Sequence, residues 1–151
     1  MNRRQVLALG GSALAVLAAS GLMAPPALAS PKAAKAKLAE LVGGKKAEKG
    51  RVAIILPPMT NDGKRVRIKV AVDSPMTEQD YVKSLHILAE RNTVPEVASY
   101  HFGPLSGKAE MITRIRVAKS QTISAAAEMS DGSVYMAKVR CKVARGAGGC
   151  G

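Results

Sequence analysis

The spacing of hydrophobic and polar positions changes once along the chain. From Pro31 to Val42 the sequence PKAAKAKLAELV is rich in good helix formers, with Leu38, Leu41 and Val42 as a small apolar stripe. Pro31 suits a first turn and Gly43-Gly44 a stop, so a short helix is predicted there. Lys45 to Gly50 reads as a polar linker. Beyond it the period is two. Val52 to Leu56 is a short apolar strand ended by Pro57-Pro58, and Asn61-Asp62-Gly63 is a turn signal. In Lys64 to Val72, Val66, Ile68, Val70 and Val72 face one way, with Arg65, Arg67 and Lys69 opposite. Tyr81 to Glu90 fits helix or strand by pattern and is assigned as strand. Val97 to Phe102 follows, closed by Gly103-Pro104. In Glu110 to Ala118, Met111, Thr113, Ile115 and Val117 form the more apolar face, and Ile112, Arg114 and Arg116 the other. Gln121 to Met129 leads to an Asp131-Gly132 turn. In the last strand, Val134 to Val143, Tyr135, Ala137, Val139, Cys141 and Val143 are expected to face the core, and Lys138, Arg140 and Lys142 water.

Seven short strands with regular turns predict an all-β fold, an immunoglobulin-like antiparallel β-sandwich of about seven strands. It would carry a short N-terminal helix and a flexible C-terminal arm. The expected organisation is a leader over 1–29, helix and linker over 30–50, the sandwich over 51–143 and a glycine-rich arm over 144–151.

The leader changes the expected compartment. Arg3 and Arg4 precede an apolar run from Val6 to Met23, and Ala27-Leu28-Ala29 ends it. Small residues three and one positions before a cut suit signal peptidase, which places cleavage after Ala29. Glycines and serines at 10, 11, 12, 20 and 21 dilute the run, which argues against a retained membrane anchor. Arg3-Arg4-Gln5-Val6-Leu7 resembles a twin-arginine export signal. Cleavage would leave 122 of the 151 residues and, because two arginines and no acid are lost, a net charge of +10 instead of +12. The expected location is the periplasm, where disulfides can form, with no membrane association after cleavage.

Composition excludes several activities. Hydrophobic residues are 47% and charged residues 23%, which fits a folded domain. Aromatics are only 3%, too few for a base-stacking nucleic-acid platform. Two cysteines cannot build a four-thiolate zinc site. His86 and His101 lack metal-ligand spacing, the methionines are scattered, and no nucleotide-binding glycine loop or nucleophile elbow is present. No metal, cofactor or nucleic-acid partner is expected. A basic body attracts anions and acidic partner surfaces.

The most specific chemistry lies at the end of the chain. Ala144-Arg145-Gly146-Ala147-Gly148-Gly149-Cys150-Gly151 holds four glycines in its last six residues. Glycine has the greatest backbone freedom and no side chain to bury, so this is expected to be a slender arm with a thiol near its tip. Six extended residues reach roughly 20 Å. Cys150 is the candidate attachment point, and Gly146, Gly148, Gly149 and Gly151 the candidate hinge. Only the thiolate is nucleophilic; Arg145 and the basic body favour it, and the adjacent terminal carboxylate opposes it. Cys141 reads as a small core hydrophobe. The rival is a Cys141–Cys150 disulfide, or a thiol redox or sulfurtransferase enzyme using both as a dithiol, although no Cys-x-x-Cys is present.

Three stretches, Asp73 to Glu110, Ala127 to Val139 and the terminal Gly148-Gly149-Cys150-Gly151, together resemble the SoxY family, carrier subunits of thiosulfate oxidation. The resemblance implies a non-catalytic carrier whose terminal cysteine, here Cys150, holds the sulfur intermediate. It implies a heterodimer with a SoxZ-type sandwich subunit. It also implies successive visits to a haem c enzyme that conjugates thiosulfate, a hydrolase that releases sulfate and a dehydrogenase that oxidises the remaining sulfur. The familiar tail ends in two glycines where this chain has one, and it has no counterpart of Cys141.

Overall fold

The structure, a computed structural model, describes residues 29–144. Residues 1–28 of the expected leader, and residues 145–151 with Gly146, Gly148, Gly149, Cys150 and Gly151, lie outside the described residues.

The expected helix forms as α1, Pro31–Leu41. Ser30 caps it: its Oγ accepts a hydrogen bond from the Ala33 N–H at 3.1 Å, which satisfies one of the free amides of the first turn. Gly43 and Gly44 follow with φ of 63° and 73°, a left-handed exit that glycine adopts without a Cβ clash.

The strands are β1 (Ala47–Glu48), β2 (Val52–Ile55), β3 (Met59–Thr60), β4 (Val66–Val72), β5 (Val82–Ala89), β6 (Glu96–His101), β7 (Glu110–Ile115), β8 (Gln121–Met129) and β9 (Val134–Val143). All seven expected strands are among them. They form an immunoglobulin-like sandwich of two sheets. The larger sheet runs β1-β9-β8-β5-β6, with β3 also pairing β9; the smaller runs β2-β4-β7. The main ladders are antiparallel, whereas the two-residue strands β1 and β3 join β9 in parallel. Two residues are too few to show a period, so these additions were invisible in the pattern.

The core lies between the sheets. Val66, Ile68 and Val70 of β4 meet Leu85 and Ile87 of β5 and Ile123 and Ala125 of β8. Burying each large aliphatic side chain contributes about 1.5–3 kcal/mol before entropy is counted. With so few aromatics, many such contributions of modest size hold the sandwich together.

A second, smaller cluster sits outside the larger sheet. Val42, Ala126 and Val134 are buried there, with Leu38 of α1 and Met136 packed on them. Val134 and Met136 are even positions of β9, so the expectation that only its odd residues are covered is too narrow. The helix lies over that part of the strand and supplies a second apolar surface.

Candidate functional site

The end of β9 is the base from which the cysteine-bearing tail departs, and it is firmly tied. The Lys142 N–H donates to Pro58 O at 2.9 Å and the Ala144 N–H to Thr60 O at 3.0 Å, which pairs this end with β3. The Val143 N–H donates to Ser120 Oγ at 2.9 Å, and that hydroxyl lies 3.3 Å from Val143 O. Gly63 closes the same end. Its carbonyl accepts from the Val117 N–H at 2.7 Å, and a Cβ added to it would stand 2.5 Å from Val117 O and 3.3 Å from the Val143 side chain. Any larger residue would force apart the loops that hold Val143. Backbone pairing therefore continues to Ala144, the first residue of the arm expected over 144–151.

Cys141 is placed as expected, with Val143 nearby in the chain and the core behind it. It is a free thiol, 0% exposed, with Sγ 3.5 Å from Pro57 O. Burial disfavours the charged thiolate and pushes its pKa up. A protonated, sealed thiol is a poor nucleophile. Of the two cysteines in the sequence, this one is structural.

A groove of about 680 Å³ lies on the outer face of the larger sheet, between α1 and strands β5 and β6. His86 and His101 line it, their rings edge to face at 6.4 Å between centroids. Ser99 Oγ is 2.7 Å from His86 Nδ1 and donates its one proton to Glu96 Oε1 at 2.6 Å. The hydroxyl must then accept at His86, so Nδ1 carries the hydrogen and Nε2 the lone pair of the neutral ring. This network depends on the β5–β6 register, which sets His86 opposite Ser99. No spacing in the sequence announces it. The groove lies beside Glu128, which pairs with Val134 at the start of β9, whereas the tail leaves after Val143. The groove's near rim is closer: Glu96 is opposite Leu88, Leu88 opposite Ser124 and Ser124 opposite Lys138, five steps before Val143.

Burial pushes the His86 pKa below its ordinary 6.5, and this outweighs the attraction of Glu96. The unfolded chain therefore takes up the proton first. Stability should fall as the pH drops below about 6.5, and the fall should end below the folded pKa. Urea midpoints from pH 5 to pH 8 will show this slope. In His86→Asn, which keeps a donor towards Ser99 without a titrating ring, the His86 contribution to it should vanish.

Among the described residues no group of three or more His, Cys, Asp or Glu side chains is arranged to hold a metal, and no helix is long and apolar enough to cross a membrane.

The sequence profile described as "Sulfur oxidation protein SoxY" matches residues 38–150. The fold is similar to that of the sulfur carrier protein SoxY from Chlorobium limicola f thiosulfatophilum, with a TM-score of 0.65 and 24% identity over 76% of this chain and 99% of that one. It is also similar to the superoxide reductase (neelaredoxin) from Ignicoccus hospitalis, with a TM-score of 0.55 and 15% identity over 78% and 95% of the two chains. The superoxide reductase from Nanoarchaeum equitans matches with a TM-score of 0.52 and 12% identity over 63% and 97%. At such identities the likenesses are of fold alone. No curated protein matches the chain. The immunoglobulin-like sandwich and the profile together define a sulfur-carrier class of protein. The chain belongs to the SoxY family.

Proposed function

We propose that this chain is a periplasmic carrier that holds thiosulfate-derived sulfur covalently on Cys150 and presents it to partner enzymes. The observation that carries the reading is the burial of Cys141. With one thiol sealed in the core, the chain has only Cys150 left for covalent chemistry. The SoxY profile match extends to residue 150, in the glycine-rich tail. Membership of the family also favours a carrier over an enzyme and a SoxZ-type subunit as partner.

In this reading the leader exports the chain by the twin-arginine route, and signal peptidase cuts after Ala29. The Cys150 thiol loses its proton, and its sulfur bonds to the outer sulfur of thiosulfate. Two electrons leave, and the haem c enzyme accepts them. A hydrolase then adds water and releases sulfate, leaving a sulfane sulfur on Cys150 for the dehydrogenase. The sandwich performs none of these bond changes. It holds the arm at Ala144, while Gly146, Gly148, Gly149 and Gly151 let the thiol enter one deep site after another. The competing dithiol enzyme needs Cys141 and Cys150 to meet, and a buried, protonated Cys141 disfavours that.

The test is omission. Thiosulfate consumption by the purified partner enzymes should stop when this chain is left out and resume when it is restored. Undiminished consumption without the chain contradicts the reading.

A further inference from the structure

The outer face of the smaller sheet has a charge pattern that the fold does not need. Arg67 of β4 and Arg114 of β7 are directly opposite each other on adjacent strands, both exposed. Directly opposed like charges destabilise a sheet. Arg65 and Arg116 extend the same parity just beyond the strand ends, and both are exposed. None of the four makes an ion pair among the described residues. The nearest acid on the face, Glu110, is taken by Lys69 at 2.7 Å.

The pattern is selective in residue type. Four of the seven arginines among the described residues stand here, whereas Lys32, Lys35, Lys37, Lys45, Lys46 and Lys49 cluster around the helix and the chain that follows it. Solubility alone is served equally well by lysine. Arginine offers a planar fork that meets carboxylates with two hydrogen bonds, and it is enriched at protein interfaces where lysine is depleted.

Apolar surface lies within the same patch. Ile55 of β2 pairs with Lys69, which pairs with Ile112 of β7, so the two isoleucines flank the lysine in one row across the sheet. They are 63% and 52% exposed. The next row is the arginine pair. Two exposed isoleucines in a row bordered by arginines that make no ion pair among the described residues match the composition of an interface with an acidic protein. Among the described residues β7 pairs only with β4, so the patch also ends at a sheet edge.

The patch lies at the departure of the tail. Gly63, two residues before Arg65, lies against both Val117, the neighbour of Arg116, and Val143. Seven residues follow Ala144, enough to span about 25 Å when extended.

We propose that this face, centred on Arg67, Arg114 and Ile112, docks an acidic surface of another protein. Docking there brings the partner within reach of the tail. That consequence depends on the carrier reading; the charge map and the binding do not.

The test uses the secreted form, residues 30–151, carrying Cys150→Ser so that no thiol chemistry contributes. A poly-L-glutamate peptide is titrated into the 15N-labelled protein at low and at physiological ionic strength. Amide shifts should concentrate on β4 and β7, and affinity should fall with salt. Arg67→Glu with Arg114→Glu should weaken binding by at least about tenfold. Lys32→Glu with Lys35→Glu changes the net charge equally on the helix and should weaken it by less than about twofold, since those charges lie far from the contact. The paired glutamine substitutions at Arg67 and Arg114 serve if the reversed pair fails to fold. Absent binding, scattered shifts or equal losses in both pairs overturns the proposal. So does tighter binding to phosphatidylglycerol vesicles than to the peptide, which would make the face a membrane contact. Peptide binding with no thiosulfate loading of Cys150 in the unmutated chain would retain the docking face and reject the carrier.

Discussion

Replacing Cys150 by serine should reduce thiosulfate turnover in the reconstituted system to the level seen without the chain, and leave the fold unchanged. The step at issue is formation of a sulfur–sulfur bond, which an oxygen cannot replace. A hydroxyl is also almost wholly protonated at neutral pH, whereas a thiol with an ordinary pKa near 8.5 supplies a few per cent of thiolate. The loss should therefore be complete, with no partial activity left. In the carrier reading residue 150 stands on an arm apart from the core, whose buried side chains run from Val66 to Cys141. Thermal unfolding should accordingly be unaltered. Cys141→Ala is the matching control. It removes a buried sulfur and should cost about 1 kcal/mol of stability, with turnover retained. If Cys141→Ala alone stopped turnover, the dithiol enzyme would be the better account.

Leu85→Ala should have the opposite signature, a stability loss before any loss of chemistry. Leu85 is 0% exposed, on the central strand β5, and faces the other sheet. Its immediate partners across the ladders are Tyr100 and Ala127, neither of which can extend to fill the space. Truncating a buried leucine costs about 2–5 kcal/mol, part transfer and part cavity. Domains of this size have about 5–15 kcal/mol in total, so the variant should unfold at much lower urea, with the slope unchanged. Leu105→Ala is the comparison: that side chain, on the turn Pro104–Ser106, is 101% exposed, and its loss should stay within about 0.5 kcal/mol. Equal losses at both positions would contradict the core described above.

The two predictions draw on parts of the molecule that differ in how openly the sequence shows them. β4 and β7 each have one buried and one exposed face, so alternation at Val66–Val72 and Met111–Val117 read correctly. Tyr81 to Glu90 gave no such alternation because β5 is central. One face meets the second sheet, Ser84, His86 and Leu88 are buried on the other, and register shifts at Val82/Ser84 and Ile87/Leu88 break the period. A strand covered on both sides resembles a buried helix in one dimension. β9 was read as one-sided for a related reason: the helix that covers Val134 and Met136 is about a hundred residues away in sequence.

The site divides in the same way. Cys141 was legible as a core residue because strand parity fixed its side. The His86–Ser99–Glu96 network and the Arg67–Arg114 pair were not, because each depends on which residues the registers set opposite one another. Both arginines were visible on the polar sides of their strands. Their juxtaposition emerges only once β4 and β7 are aligned. The tail is a different case: a cysteine among glycines is a signal of the sequence alone, and it lies outside the described residues.

Peptide mapping after growth on thiosulfate is the most direct check on the covalent load. Trypsin separates the two sulfurs: cleavage after Arg140 and Lys142 isolates Cys141, and cleavage after Arg145 releases the segment from Gly146 to Gly151. The account predicts a thiosulfate-derived adduct, removable by reductant, on Cys150 alone. An unmodified Cys150 in cells that are actively oxidising thiosulfate, or an adduct confined to Cys141, would contradict it.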